Sequence, residues 1–271
     1  MKKYKMITFS SCFYILKSKF DPAIYIEWAN NLISIVNNFN LVIYTDENSI
    51  GYINTRENPR IKVILKPIDK FYNYKYKEQW IKNHSKNLLL NNLVVWQVNM
   101  LWSEKVWFIN DTVTNKYFDA DLYGWCDIGY FRNRPNDTNT SMLNNWPTQS
   151  ILEELNINNI YYACVNNDNN YMNYLNKIVN DKNDVGLPRQ EIPANQTSVA
   201  GGFFILHRNK VEWWANTYDS KLKLYFDNNY LVKDDQIILV DCILTEIDNF
   251  TLYRENDNSY DNWFMFQRIL M

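Results

Sequence analysis

The chain has 271 residues, of which 46% are hydrophobic and 16% aromatic, and its formal net charge at pH 7 is −2. That length suits one large α/β domain or two small ones, and the apolar content is ample for a core. Nucleic acid is not an expected partner, because a slightly acidic chain lacks the basic face that nucleic-acid-binding proteins present. The four cysteines are scattered without C-x-x-C spacing, which indicates reduced core residues rather than a zinc knuckle or a disulfide framework.

The N-terminal segment and the length of the apolar runs indicate whether the protein is secreted, membrane-spanning or cytoplasmic. Residues 1–5 are basic, but the apolar stretch that follows is short and is interrupted by Thr8 and Ser10. It is more typical of a first core strand than of a signal peptide. No apolar run is long enough to span a bilayer, so we expect no membrane span and a soluble, cytoplasmic protein.

The first part of the chain alternates strand and helix signals. Residues 5–10 predict a strand, and Asp21 and Pro22 then begin a helix as its N-cap and first residue. Apolar runs at 41–44 and 61–65 predict the next two strands. This order indicates an α/β fold with a largely parallel sheet.

The second part continues the same pattern. Residues 93–113 predict one long helix, which precedes a strand ending at Asp127, and residues 133–150 read as a loop. The later strands are predicted at 160–164 and 199–206, and the later helices at 209–228 and 236–244. No internal repeat or linker divides the chain, so residues 1–271 are expected to form a single domain.

Asp127 is the most informative residue. It closes a short apolar run, with Gly129 two positions on and Arg132 five on. In an open α/β sheet an acid at a strand's carboxyl end faces the crevice where ligands bind, and a glycine lets a ligand approach the backbone. Acid, small residue and cation together favour a site for a metal-bound phosphate. The alternative is an aspartate that only caps the next turn.

Other residues with candidate chemistry each have a plainer interpretation. Lys105 is either a cation directed at a diphosphate or a solvated lysine on a helix. Gly201 and Gly202 either admit a ligand close to the backbone or allow a tight entry into a strand. Asp234 and Asp235 are either a base or sugar-hydroxyl ligands, or an ordinary helix N-cap with dipole-compensating acids.

The sequence lacks the motifs that mark several enzyme classes. The chain contains no G-x-x-x-x-G-K-[ST], G-x-G-x-x-G or G-x-S-x-G, and its two histidines, His84 and His207, are far apart. Asp119-Ala120-Asp121 matches an Asp-x-Asp metal motif literally. It follows the predicted long helix rather than an apolar strand, so we interpret it as turn capping.

The two central segments resemble a known family. Trp102-Ser103-Glu104-Lys105 and the run from Tyr123 to Arg132 resemble the W-x-x-K … F-x-W-x-D-x-G-x-x-R pattern of the HtrL/YibB family, whose members look like GT-A glycosyltransferases. The resemblance implies a GT-A-like α/β fold, with a mixed, mostly parallel sheet flanked by helices. It also implies a nucleotide-sugar donor, with a UDP-sugar the expected one, and a glycan or other hydroxyl acceptor.

The resemblance implies a role for each candidate around the donor. Asp127 would hold a divalent metal, Mn²⁺ or Mg²⁺, although Gly129 takes the place of a second aspartate and weakens such a site. Lys105 and Arg132 would carry diphosphate charge. The donor-binding residues, at strand ends or beside the ligand, would also include Thr8, Ser10, Asp46, Gly201 and Gly202.

On the same resemblance, Asp234 or Asp235 would position or deprotonate the acceptor hydroxyl. If Asp235 is a general base, the reaction inverts the anomeric centre; if it only orients the substrates, retention is open. Two further hypotheses compete with a transferase. One is a non-catalytic relative that binds nucleotide-sugar or glycan, for which Gly129 is the motivating feature. The other is a purely structural or interaction protein.

Overall fold

The computed structural model describes residues 6–257 and 259–271; Lys5, the first residue of the predicted first strand, and the basic segment 1–5 lie outside them. Within the described part, seven strands form one sheet in the order β3-β2-β1-β4-β6-β5-β7. The strands are β1 (Ile7–Phe13), β2 (Asn40–Thr45), β3 (Ile61–Leu65), β4 (Leu122–Cys126), β5 (Ile160–Cys164), β6 (Val199–His207) and β7 (Phe250–Tyr253).

The sheet is mixed and mostly parallel. Strands β1 to β4 run parallel where they pair, β7 is parallel to β5, and only β6 is antiparallel to its neighbours. Because β6 is reversed, its amino-terminal residues lie at the carboxyl edge of β4, where Cys126 pairs with Phe203. The α/β class and the mixed, mostly parallel sheet flanked by helices are therefore confirmed. The amino-terminal part of β6 also contributes Gly201 and Gly202 to the candidate site.

Helices cover both faces of the sheet. The helices are α1 (Pro22–Ser34), α2 (Lys77–Lys86), α3 (Trp96–Ser103), α4 (Lys105–Thr114), α5 (Gln149–Glu154), α6 (Asn169–Asn180), α7 (Arg208–Asp227), α8 (Asp235–Thr245) and α9 (Phe266–Ile269). One core joins the sheet to α4 and α6–α8, and the other joins it to α1, α5 and α9. Both faces of the central strands are thus buried, which explains why residues 41–44 of β2 form a continuous apolar run in sequence. Among the described residues, no helix is both long and apolar enough to cross a membrane.

Local signals located most elements well. Asp21 is the N-cap of α1, and its Oδ1 accepts a hydrogen bond of 2.8 Å from Ala23 N. The strand before Asp127 and both late helices lie where the sequence predicts them, to within a residue or two at each end. All four cysteines are free and buried.

The prediction of one long helix over 93–113 is wrong. The segment forms two helices, α3 and α4, which meet at Glu104. The Glu104 side chain is buried and turned away from solvent, and its two carboxylate oxygens accept hydrogen bonds from Tyr72 N at 2.6 Å and Asn73 N at 3.0 Å. Its own N–H donates to Leu101 O, a tighter turn than the α-helix makes. A buried acid that accepts hydrogen bonds from a 3-10 helical turn distant in sequence, Tyr72–Tyr76, therefore ends α3, and Lys105 becomes the first residue of α4.

Because the Glu104 carboxyl is buried, we expect the free energy of unfolding to depend on pH. Burial raises the pKa of its carboxyl from an ordinary 4.5 to about 7, against the opposing charge of Lys66. The folded protein thus keeps a proton that the unfolded chain releases, so the free energy of unfolding falls as pH rises from 4.5 to about 7. The loss amounts to roughly 3 kcal/mol and is complete above the folded pKa.

Urea unfolding of wild type and Glu104→Gln at about pH 5 and about pH 8 measures this contribution. We expect wild type to lose more stability than the variant between the two pH values, whereas exposed Glu78→Gln should follow wild type. Equal pH slopes for Glu104→Gln and wild type would contradict the assignment.

Candidate functional site

A cavity of about 480 Å³ opens at the carboxyl edge of the sheet. Its walls come from the ends of β1 and β4, the amino-terminal part of β6, the start of α4 and the N-terminus of α8. This is the position at which open α/β sheets bind ligands, and the volume is within the usual range for small-molecule pockets. Of the predicted site residues, the cavity brings together Lys105, Asp127, Arg132, Gly201, Gly202, Asp234 and Asp235.

Three predicted donor residues do not line this cavity. Thr8 and Ser10 lie inside β1, fully buried, because the strand runs past residue 10 to Phe13. The Ser10 hydroxyl is bonded to Thr112 Oγ1 at 2.8 Å within the core. Asp46 accepts a hydrogen bond from Ser49 N at 2.9 Å and shapes the turn after β2. Their placement at the ligand-facing strand ends is therefore wrong for Thr8 and Ser10, and Asp46 serves the turn.

Lys105 lies at the centre of the site. Its Nζ donates to Gly201 O at 2.8 Å and lies 3.2 Å from Asp127 Oδ1 and 3.0 Å from Asp235 Oδ2. Only 7% of the side chain is exposed, so the interpretation as a solvated surface lysine is wrong. Burial disfavours the ammonium, but the two carboxylates outweigh it and raise the pKa of Lys105. The ammonium is therefore a fixed positive charge that joins β4, β6 and α8.

The two aspartates at the start of α8 have different surroundings. Asp234 is the N-cap: its Oδ1 accepts a hydrogen bond of 3.2 Å from Gln236 N, and its Oδ2 pairs with Lys233 Nζ at 2.8 Å. Burial, with the neighbouring charge of Asp235, raises the pKa of Asp234. Asp235 Oδ2 is buried and forms an ion pair with the Lys105 ammonium at 3.0 Å. Asp235 is thus the acid that pairs with Lys105 at the cavity wall, whereas Asp234 caps the helix.

Both glycines of β6 make room for these acids. A Cβ at Gly201 would overlap the Asp235 carboxylate, and a Cβ at Gly202 would lie 3.2 Å from Asp127 Oδ2. The adjacent backbone is also part of the arrangement, because Gly202 O accepts a 2.8 Å hydrogen bond from Asp127 N. The Gly-Gly pair therefore lets β6 pass between two carboxylates, which side chains at these positions would obstruct.

Arg132 lies on an aromatic wall of the cavity. Its guanidinium carbon is 4.2 Å from the ring centroid of Trp28 and 4.8 Å from that of Phe264, and its Nε donates to Gly129 O at 2.8 Å. A Cβ at Gly129 would lie 2.7 Å from Trp28 Cε3. A side chain at position 129 would therefore collide with the Trp28 ring, and glycine is the residue that leaves room for it.

Asp127 is the residue whose carboxylate could bind a divalent ion in this cavity. Its Oδ1 accepts a hydrogen bond from Trp125 Nε1 at 2.5 Å and faces the Lys105 ammonium, whereas its Oδ2 has no hydrogen bond or ion pair with a described residue. The side chain is 39% exposed to the cavity. Across residues 6–257 and 259–271, no group of three or more His, Cys, Asp or Glu side chains is placed to hold an ion. One free carboxylate oxygen fits an ion that brings phosphate and water ligands with it.

The sequence interpretation missed the wall built by β1 and the segment after it. Tyr14 and Ile15 follow the strand end, and Lys19 lies beside them in the cavity with its Nζ 4.8 Å from the Trp102 ring centroid. Burial lowers the pKa of Lys19, an effect that Asp234 opposes. The pair Lys17 and Lys19 directly after an apolar run was the available signal.

Comparisons with known proteins leave the family open. A scan against models of protein families found no match, and neither did a search of curated proteins.

Proposed function

We propose that the cavity binds a nucleotide-sugar, with a UDP-sugar as the expected donor, and transfers the sugar to a hydroxyl of a glycan or other acceptor. The observation that carries the proposal is the Lys105 ammonium held between Asp127, at the end of β4, and Asp235, at the start of α8. The resemblance to the HtrL/YibB pattern and to GT-A glycosyltransferases supports it, because the pattern residues other than Tyr123 line one cavity: Trp102, Lys105, Trp125, Asp127, Gly129 and Arg132.

The proposed chemistry assigns the two sides of the site to the two substrates. The donor diphosphate would lie near Asp127, Lys105 and Arg132, where two cations offset its charge. Asp235 would accept the proton of the acceptor hydroxyl as that oxygen attacks the anomeric carbon. The bond between the anomeric carbon and the phosphate oxygen then breaks, and the nucleotide leaves with the electron pair. Direct displacement of this kind inverts the anomeric centre.

A divalent ion, Mn²⁺ or Mg²⁺, belongs to this proposal as a companion of the donor. Asp127 Oδ2 would be its protein ligand, and the ion would supply charge neutralisation for the departing diphosphate. Because the protein offers one free carboxylate oxygen, we expect the ion to bind with the nucleotide and weakly or not at all without it.

A second candidate function is nucleotide-sugar or glycan binding without turnover. The Trp28 ring beside Gly129 favours it, since it excludes the second acid that a stronger metal site would use. The two candidates share the cavity and differ in whether Asp235 removes a proton. A transfer or donor-hydrolysis assay separates them.

Thermal unfolding with UDP, GDP, CMP and dTDP, each with and without Mn²⁺, tests the proposal. A ligand that binds only the native state raises the melting temperature, and we expect a rise with UDP that Mn²⁺ enlarges and Mn²⁺ alone does not produce. Asp127→Asn should abolish the enlargement by Mn²⁺ and keep part of the response to UDP. No shift with any nucleotide, with or without metal, would reject the proposed function.

A further inference from the structure

An exposed leucine surface lies next to the cavity. It consists of Leu88, Leu89 and Leu93, whose residues are 82%, 51% and 54% exposed, in the loop between α2 and α3. Isolated exposed leucines are common on soluble proteins, but three within six positions of one short loop form a patch that water solvates poorly. The patch therefore calls for a physical explanation.

The loop does not need these leucines for its own packing. Leu90 and Val94 anchor it instead, 5% and 1% exposed, in a small apolar cluster with Val98. Backbone hydrogen bonds also hold it, among them Leu93 N to Leu90 O at 2.9 Å and Asn91 N to Asn87 O at 2.9 Å. The exposed leucines are thus displayed on a well-supported loop.

The surroundings of the leucine surface are basic, although the whole chain is slightly acidic. No Asp or Glu occurs between Glu78 and Glu104, and none precedes Asp21. These two acid-free segments meet where Val95 N donates to Lys17 O at 3.2 Å. Lys17, Lys82 and Lys86 are all exposed, and no carboxylate of a described residue pairs with them.

We propose that the leucine surface, with Lys17, Lys82 and Lys86, docks the protein on an anionic lipid bilayer. Aliphatic side chains that enter the interface, flanked by lysines that meet anionic headgroups, are the composition of peripheral membrane-binding surfaces. Protein interfaces differ, because their centres are enriched in Trp, Tyr and Arg and depleted in Lys. The charge complementarity therefore favours a bilayer over a second protein as the occupant.

Docking here would bring the cavity to the membrane surface. The apolar cluster under the leucine surface includes Val98 and packs against Leu16 and Trp102, and all three line the cavity. An acceptor hydroxyl on a lipid-linked glycan would then be presented beside the site. This last step rests on the proposed function, whereas the docking itself rests on the surface alone.

Co-sedimentation with lipid vesicles tests the docking. We expect the protein to bind vesicles that contain phosphatidylglycerol, to bind pure phosphatidylcholine vesicles at least about tenfold more weakly, and to lose binding in high salt. Leu88→Asp combined with Leu93→Asp should weaken binding by about tenfold or more. The matched control is Val185→Asp with Ile247→Asp, at residues 51% and 48% exposed, which should bind as wild type does.

Three results would overturn the docking proposal. The first is that the protein does not bind anionic vesicles, and the second is that the leucine variant binds them as well as wild type does. The third is that two copies of the protein form a dimer whose interface contains the leucine surface. Analytical ultracentrifugation of wild type and the leucine variant detects the last of these. Because UDP binding is measured separately by thermal unfolding, failure of the docking and failure of the proposed function are distinguishable.

Discussion

Replacing Asp235 by asparagine is expected to reduce sugar transfer by about 10²–10⁴-fold while UDP binding changes little. The amide has nearly the shape of the carboxylate but cannot accept the acceptor's proton. Asp235 lines the cavity and does not cap α8, whereas Asp234 Oδ1 is used by Gln236 N, so the proposal gives the proton-accepting role to Asp235. Initial rates at saturating donor and thermal shifts with UDP measure the two effects separately.

Asp234→Asn is the matched control for this prediction. Asparagine is as good an N-cap as aspartate, so the start of α8 should be preserved and transfer should fall by less than about tenfold. If Asp234→Asn loses as much transfer as Asp235→Asn does, the proton-accepting role is not specific to Asp235. Near-normal transfer by Asp235→Asn would remove general-base catalysis by this residue.

Replacing Lys105 by methionine is expected to cost about 3–5 kcal/mol in free energy of unfolding, since it leaves Asp235 buried without its counter-ion. The same change should weaken UDP binding, because it removes a cation from the proposed diphosphate side. Methionine keeps most of the side-chain volume, so lost packing contributes little to the result. Urea unfolding gives the stability, and a UDP titration gives the affinity.

The Lys105→Met, Asp235→Asn double variant is the control for the origin of this loss. With the buried charge also removed, it should recover a substantial part of the stability that Lys105→Met loses. If the two losses simply add, the ion pair between Lys105 and Asp235 does not account for the effect. If Lys105→Met alone lowers the free energy of unfolding by less than about 1 kcal/mol, the Lys105 ammonium is solvated rather than buried in an ion pair.

Elements with strong local signals were predictable one by one. The apolar run before Asp127 forms β4, and the acid pair Asp234 and Asp235 stands at the start of α8. Two errors had nonlocal causes. The helix over 93–113 divides because Glu104 bonds to Tyr72 and Asn73, and β1 continues through Ser10 because Thr112 satisfies that hydroxyl in the core.

The sequence by itself determined that the chain is an α/β protein, that Asp127 ends a core strand, and that an acid pair begins a late helix. Those features follow from residues close together in the chain, where periodicity and capping act. Only the tertiary structure decided that Lys105 joins Asp127 to Asp235, and that Asp234 is the cap. The reversed direction of β6 brings Gly201 beside Lys105 and opens the space that Asp235 enters. Such contacts depend on strand order, which no local pattern encodes.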